Sequence, residues 1–204
     1  MGVNFINSEI CEIDGEKLIY FNDPRRLRDK IIDTASKVGA KKFFSSTDEN
    51  IKKVRESVAE YFFTLALKKG NHRDWFIMQP QGDPPDFILM TASDNPMAIT
   101  LDGFELVEIP GCCKTFDEMM DIVQKKINKG YSVRYNLLIF VNNEKSKEWL
   151  FLLHRYLENY HPFKTVWTVH LLCYKDKKDF FGYVVNRLRP LPVRHIEGTL
   201  GESY

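Results

Sequence analysis

No stretch of the 204-residue chain approaches the roughly 20 consecutive apolar residues that a bilayer-spanning helix requires. The opening run MGVNFINSEICEIDGEK also lacks a basic segment followed by an apolar core, so neither a membrane span nor an export signal is expected. Charge of one sign is lacking too: 29 Lys and Arg stand against 28 Asp and Glu, a formal net charge of +1. Bulk electrostatics therefore provide no drive towards nucleic acid or anionic lipid, and any polyanion would have to meet a local basic face. Cysteine is sparse. Cys11, Cys112, Cys113 and Cys173 form no C-x-x-C pair and no zinc-ribbon spacing, which suits a reduced, cytoplasmic compartment. His72, His154, His161, His170 and His195 lack the i, i+4 pairing of a zinc protease helix. Internal repeats and low-complexity linkers are absent.

What is present reads as one α/β domain over 1–204, since a 44% hydrophobic content is enough for one sizeable core. Glu9 to Ile13 and Lys17 to Phe21 flank Asp14-Gly15, the mark of a hairpin. Asp23 as N-cap and Pro24 at the first helical position predict a helix running to Gly39. Ser46 with Glu49 forms a capping box for a second helix whose stripe of Ile51, Val54, Val58, Phe62 and Leu65 ends at Gly70. The period then becomes extended: strands are predicted at Trp75–Met78, Asp86–Thr91, and Met97–Leu101 continuing through Phe104–Ile109, with a bend at Gly103. Thr115 and Glu118 open a helix that closes at Gly130. Leu137–Val141 reads as a strand covered on both faces, Ser146–Tyr160 as a helix, and Thr165–Tyr174 as a strand. A core of about 47–174 thus lies between an N-terminal hairpin and helix (1–45) and a Pro-interrupted extension (175–204) in which Phe180–Val185 is the apolar run. The end beyond Arg194 is expected to be mobile.

Magnesium-assisted hydrolysis of a phosphodiester needs two or three carboxylates converging on a hard cation. Asp86 begins one predicted strand directly after Pro84-Pro85, and Glu105 and Glu108 lie on the next in F-E-L-V-E-I. The helix before them carries Glu56 and Glu60 one turn apart, either of which could reach the same cluster. In the Glu56/Glu60 helix, the D-P-P-D-F run at Asp83–Phe87, the strand Phe104–Ile109 and the succession of elements after it, the chain resembles the PD-(D/E)XK, or restriction-endonuclease-like, nuclease superfamily over roughly Glu49–Tyr174. The resemblance implies an α-β-β-β-α-β core with a mixed sheet, Mg²⁺ or Mn²⁺ as cofactor, and DNA as partner, with a homodimer admitted. It matches Asp86 to the family's motif aspartate and Glu105 or Glu108 to its strand acid.

The family places a lysine two residues after the strand acid, where this chain has Val107 or Pro110. Some members supply the basic group from the following helix, which here offers Lys125 or Lys126. Gln79 or Gln81 could hold a water instead. Of the two strand acids Glu108 is preferred, because it sits nearest the strand's end. The odd step between them turns them to opposite faces of a regular strand, so one alone enters the site. The expected site is therefore Asp86, Glu108 or Glu105, Glu60 or Glu56, and Lys126 or Lys125, with Asp86, Glu108 and Glu105 as candidate ligands. Plainer readings stand beside these: Asp86 as the cap of a strand start, the helix glutamates as a solvated edge, the lysines as partners of a helix C-terminus. Arg25, Arg26 and Arg28, and Arg187, Arg189 and Arg194, form two clusters that could meet phosphates. Trp75, Trp149 and Trp167 belong to the core, and Cys112-Cys113 to a buried structural turn. A chain that keeps the fold and has lost catalysis, acting as a binding module, is the alternative function.

Overall fold

The computed structural model describes residues 3–5, 10–13, 16–80, 85–92, 99–130, 134–142, 146–159, 162–173, 181–189 and 194–199. The chain opens with strands β1 (Val3–Phe5), β2 (Ile10–Ile13) and β3 (Glu16–Asn22), the last two paired antiparallel as the hairpin signal predicts. The Asp14-Gly15 turn itself lies outside the described residues. Helix α1 (Pro24–Val38) starts where the Asp23 carboxylate accepts a hydrogen bond from the Arg25 N–H, and Gly39 at φ 83° ends it. A short helix, α2 (Ala40–Ser45), follows that the sequence reading did not contain.

Helix α3 (Glu49–Asn71) departs from expectation at both ends. Its N-cap is Asp48, which accepts from the Asn50 and Ile51 N–H groups, while Ser46 Oγ accepts from Asp48 N. It stops not at Gly70 but at His72, which takes the left-handed conformation (φ 57°) and donates its N–H to the Lys68 carbonyl. An aromatic ring replaces the usual glycine there at some conformational cost.

Strands β4 (Phe76–Pro80), β5 (Phe87–Ala92) and β6 (Ile99–Ile109) form an antiparallel meander, and β6 runs through Gly103 as one strand. Helix α4 (Phe116–Ile127) is capped by Thr115, whose Oγ1 accepts from Glu118 N. It crosses to β7 (Asn136–Val141), parallel to β6 and buried along its whole length. Helix α5 (Ser146–Asn159) crosses in turn to β8 (Val166–Cys173), parallel to β7. Beyond it, β9 (Phe181–Arg189) and β10 (Arg194–Thr199) continue the sheet antiparallel. The expectation of a mobile end after Arg194 is corrected for residues 195–199: ladder pairing of β10 with β9 holds them, and Lys69 Nζ donates to the Glu197 carbonyl.

Among the described residues ten strands make one mixed sheet in sequence order. One face carries α1 to α3 and the other α4 and α5, as their separate apolar cores show. Phe63 anchors the first face edge-on to both Phe104 and Trp167. Trp75, Trp149 and Trp167 are all buried. No helix among the described residues is long and apolar enough to cross a membrane.

His170 on β8 is buried, and neither ring nitrogen has a hydrogen-bond partner among the described residues. Burial pulls its imidazole down from 6.5 to about 4. The unfolded chain thus takes up a proton that the folded chain refuses, and stability falls as pH drops from about 6.5 towards 4. Denaturant unfolding at stepped pH is expected to show this slope in the wild type and a shallower one in His170→Leu; equal slopes would refute the assignment.

Candidate active site

The site begins with a gap in strand pairing. The β5–β6 ladder runs from Ala92↔Ile99 to Phe87↔Phe104 and ends there, so the β6 residues from Glu105 onwards extend past the start of β5. On the other side, Met78↔Ile88 is the last pair of β4 with β5, leaving Gln79 and Pro80 beyond it as well. Asp86, the residue just before β5, stands in this notch. Its Oδ2 accepts a 2.6 Å hydrogen bond from the N–H of Leu106, part of what β5 would have supplied had it started earlier. The notch opens on a cleft of about 640 Å³ lined by residues of α1, α3, α4, β4 and β6.

Alternation along β6 sends its two acids to opposite sides of the sheet. Phe104 and Leu106 pack on the α3 face, Val107 and Ile109 on the α4 face, so Glu105 points to the α4 side and Glu108 to the α3 side. Lys126, on the last turn of α4, meets Glu105 there. Its Nζ lies 2.7 Å from Asp86 Oδ2 and 2.7 Å from Glu105 Oε2. Glu105 is fully buried, Asp86 about one-third exposed. Burial by itself would pull the Lys126 ammonium down, but its hydrogen bonds to Asp86 and Glu105, and their charges, outweigh this and hold it above the ordinary lysine range. Val107, where the resemblance would seat a lysine, is buried in the apolar layer beneath α4. The cation beside Glu105 comes instead from that helix. Lys125, its neighbour, is exposed, and Gln81 lies outside the described residues.

Glu108, the acid preferred on sequence grounds, lines the cleft with its carboxylate held in an ion pair. Arg55 of α3 clamps it with two bonds, Nε to Oε1 at 2.7 Å and Nη2 to Oε2 at 2.9 Å, and Asn142 adds a third at 3.3 Å. The same guanidinium donates to the carbonyls of Phe43 and Ser46. Glu108 therefore borders the cleft with its oxygens already committed to tying α2, α3 and the ends of β6 and β7 together. The signal that could have found this is Arg55 itself, a cation set in the apolar stripe of α3.

From the α3 face come Glu56, Glu60 and Gln79. Glu60 is buried, and burial, reinforced by the charges of Glu56 and Asp86, pushes its carboxyl up to about 8 against the pull of a hydrogen bond from the Gln79 side chain. Its Oε2 has no partner among the described residues. Glu56 is half-buried and likewise raised, by burial and then by Asp86 and Glu108, with Lys52 and Lys126 opposing. Since Glu60 holds a proton when folded that it loses near 4.5 when unfolded, stability declines as pH rises from about 4.5 to 8. Glu60→Gln, neutral throughout, is expected to flatten that decline and to be more stable than the wild type at pH 8. A melting temperature that falls equally in both proteins would show that Glu60 ionises normally.

The two arginine clusters do not line this cleft. Arg25 is paired to Asp23, Arg28 borders a separate apolar pocket with Ile31 and Tyr61, Arg187 lies over the Trp167 ring, and Arg189 is buried. The Arg194 side chain is outside the described residues. Of the vicinal pair expected to be buried, Cys113 is buried, its thiol pushed up by that burial and so no ready nucleophile, whereas Cys112 is exposed. Among the described residues no three His, Cys, Asp or Glu side chains are grouped to hold a metal ion. The two carboxylates that come together in the notch, Asp86 and Glu105, do so around Lys126. Magnesium is commonly held by one or two carboxylates with water and substrate phosphate completing its shell.

Compared with protein-family models, with curated proteins and with solved structures, the chain matches none.

Proposed function

We propose that the chain is a nuclease-like protein of the restriction-endonuclease-like kind that hydrolyses DNA phosphodiester bonds with Mg²⁺ or Mn²⁺, Asp86 and Glu105 serving as the cation's protein ligands. One observation carries the reading: a single lysine reaches from α4 to both carboxylates at 2.7 Å. The order α3-β4-β5-β6-α4-β7, with β4 to β6 antiparallel and β7 parallel to β6, supports it as the α-β-β-β-α-β succession of that family. A bound divalent cation would polarise the phosphoryl group and lower the pKa of an attacking water. Lys126 holds the two carboxylates together against their mutual repulsion and brings an ammonium to the region where negative charge develops. Gln79 orients Glu60. Burial keeps Glu60 neutral at pH 7, so it adds no further repulsion.

A second reading, a nuclease fold serving as a nucleic-acid or protein binding module, is favoured by the same ion pairs: Lys126 already neutralises Asp86 and Glu105. Incubation of the purified protein with plasmid and linear DNA in Mg²⁺, Mn²⁺ or EDTA separates the two. The nuclease reading expects cutting with either metal, none in EDTA, and none by Asp86→Ala, which stays folded and binds DNA but melts lower for want of the bonds to Leu106 N–H and Lys126. Binding without cutting in both metals selects the module; cutting that survives in Asp86→Ala removes this carboxylate from the chemistry.

A further inference from the structure

We infer that Lys30, Lys52 and Lys53 form a phosphate-binding subsite at the lip of the cleft, which grips the backbone of a nucleic-acid strand next to the bond placed at Asp86 and Glu105. The inference rests on the reading of the cleft as a phosphodiester site and adds where the rest of the strand is held. All three lysines line the cleft. Lys52 and Lys53 stand on α3 one turn before Glu56 and Ser57, about 6 Å along the helix at 1.5 Å per residue, so α3 presents cations first and carboxylates deeper in. Lys30 comes from α1, a separate element, and reaches the same opening.

None of these lysines is locked in a close ion pair, although Lys52 offsets the charge of Glu56 and Lys30 that of Glu60. Lys30 and Lys53 have no ion-pair partner among the described residues, and the sole one found for Lys52 is Glu49 at a loose 3.8 Å. Of the arginines that composition offered for this work, Arg25 is paired to Asp23, Arg187 lies over Trp167 and Arg189 is buried, and neither Arg26 nor Arg28 lines the cleft. A phosphate approaching the deep end would meet the carboxylates of Glu56, Asp86 and Glu108. Lys126 offsets part of that, and Lys30, Lys52 and Lys53 supply the remainder. In a chain with a net charge of +1, this lip is where a polyanion gains attraction.

The test measures binding apart from cleavage. A fluorescein-labelled single-stranded oligodeoxynucleotide is titrated with protein in EDTA, by anisotropy, between about 50 and 200 mM salt. A variant carrying Lys30→Gln, Lys52→Gln and Lys53→Gln is expected to lose roughly 2 from the slope of log K against log salt, at about 0.7 per single-strand phosphate contact, and roughly tenfold in affinity at the low-salt end. A control carrying Lys41→Gln, Lys42→Gln and Lys114→Gln removes the same charge from exposed positions outside the cleft and should keep the wild-type slope. Melting temperatures of both variants establish that they are folded. An unchanged slope in the cleft variant, an equal loss in the control, or no binding by the wild type overturns the inference. If the cleft variant alone loses slope while the wild type never cuts DNA in Mg²⁺ or Mn²⁺, the subsite stands and the hydrolytic reading falls.

Discussion

Lys126→Met is expected to lower DNA cleavage in Mg²⁺ by about 10²–10³-fold, the range measured when one preorganised donor facing developing negative charge is removed. The methionine keeps the length and apolar stem of the side chain and deletes only the ammonium, so the packing of α4 on β6 and β7 is retained. Without the ammonium, Asp86 and the fully buried Glu105 face each other uncompensated. One of them must then take up a proton, or the notch must open. The variant should therefore also melt lower in EDTA, and added Mg²⁺ should restore more stability to it than to the wild type, since the cation replaces the lost positive charge. Lys125→Met, one residue away and exposed, serves as the control and should cut normally. Activity in Lys126→Met equal to that of the control would remove Lys126 from the mechanism. A thermal shift with Mg²⁺ no larger than in the wild type would show that the cation does not take its place.

The largest expected loss of stability belongs to the neighbouring acid. Glu108→Gln leaves Arg55 buried without its bidentate carboxylate, and removing one partner of a buried ion pair costs about 3–5 kcal/mol. Both side chains are only 6–7% exposed, so water cannot replace the lost partner. Arg55 also donates to the Phe43 and Ser46 carbonyls, and Asn142 donates to Glu108 and to the Phe44 carbonyl. Loosening the pair should consequently free α2 and the start of α3 together. Urea unfolding should show the midpoint falling with little change in slope. The double variant Arg55→Met, Glu108→Leu should recover most of the loss, because an apolar pair leaves no buried charge. A Glu108→Gln protein as stable as the wild type, yet unable to cut, would return Glu108 to the site as a ligand.

Local chemistry determined much of this molecule without reference to its packing. Asp23 and Pro24 start α1, Thr115 and Glu118 start α4, and the apolar run Leu137–Val141 becomes a strand buried on both faces, because caps and periodicity act over a few residues. The acids at Asp86 and Glu105 and the cation at Lys126 were likewise legible as residue types near strand ends and on the following helix. Rank among them was not. Whether Glu105 or Glu108 meets Lys126 depends on which face of β6 receives α3 and which receives α4, and a strand's own sequence does not say which helix lies above it. The Arg55–Glu108 clamp joins residues 53 apart and the Lys126–Asp86 contact residues 40 apart, so no short pattern contains either pair. The same holds for β9 and β10, where proline-broken, charged sequence reads as a tail until β8 offers an edge to pair with. Tertiary structure alone decided that Glu60 keeps its proton, since its pKa follows from burial between α3 and the sheet and not from its place on an amphipathic helix.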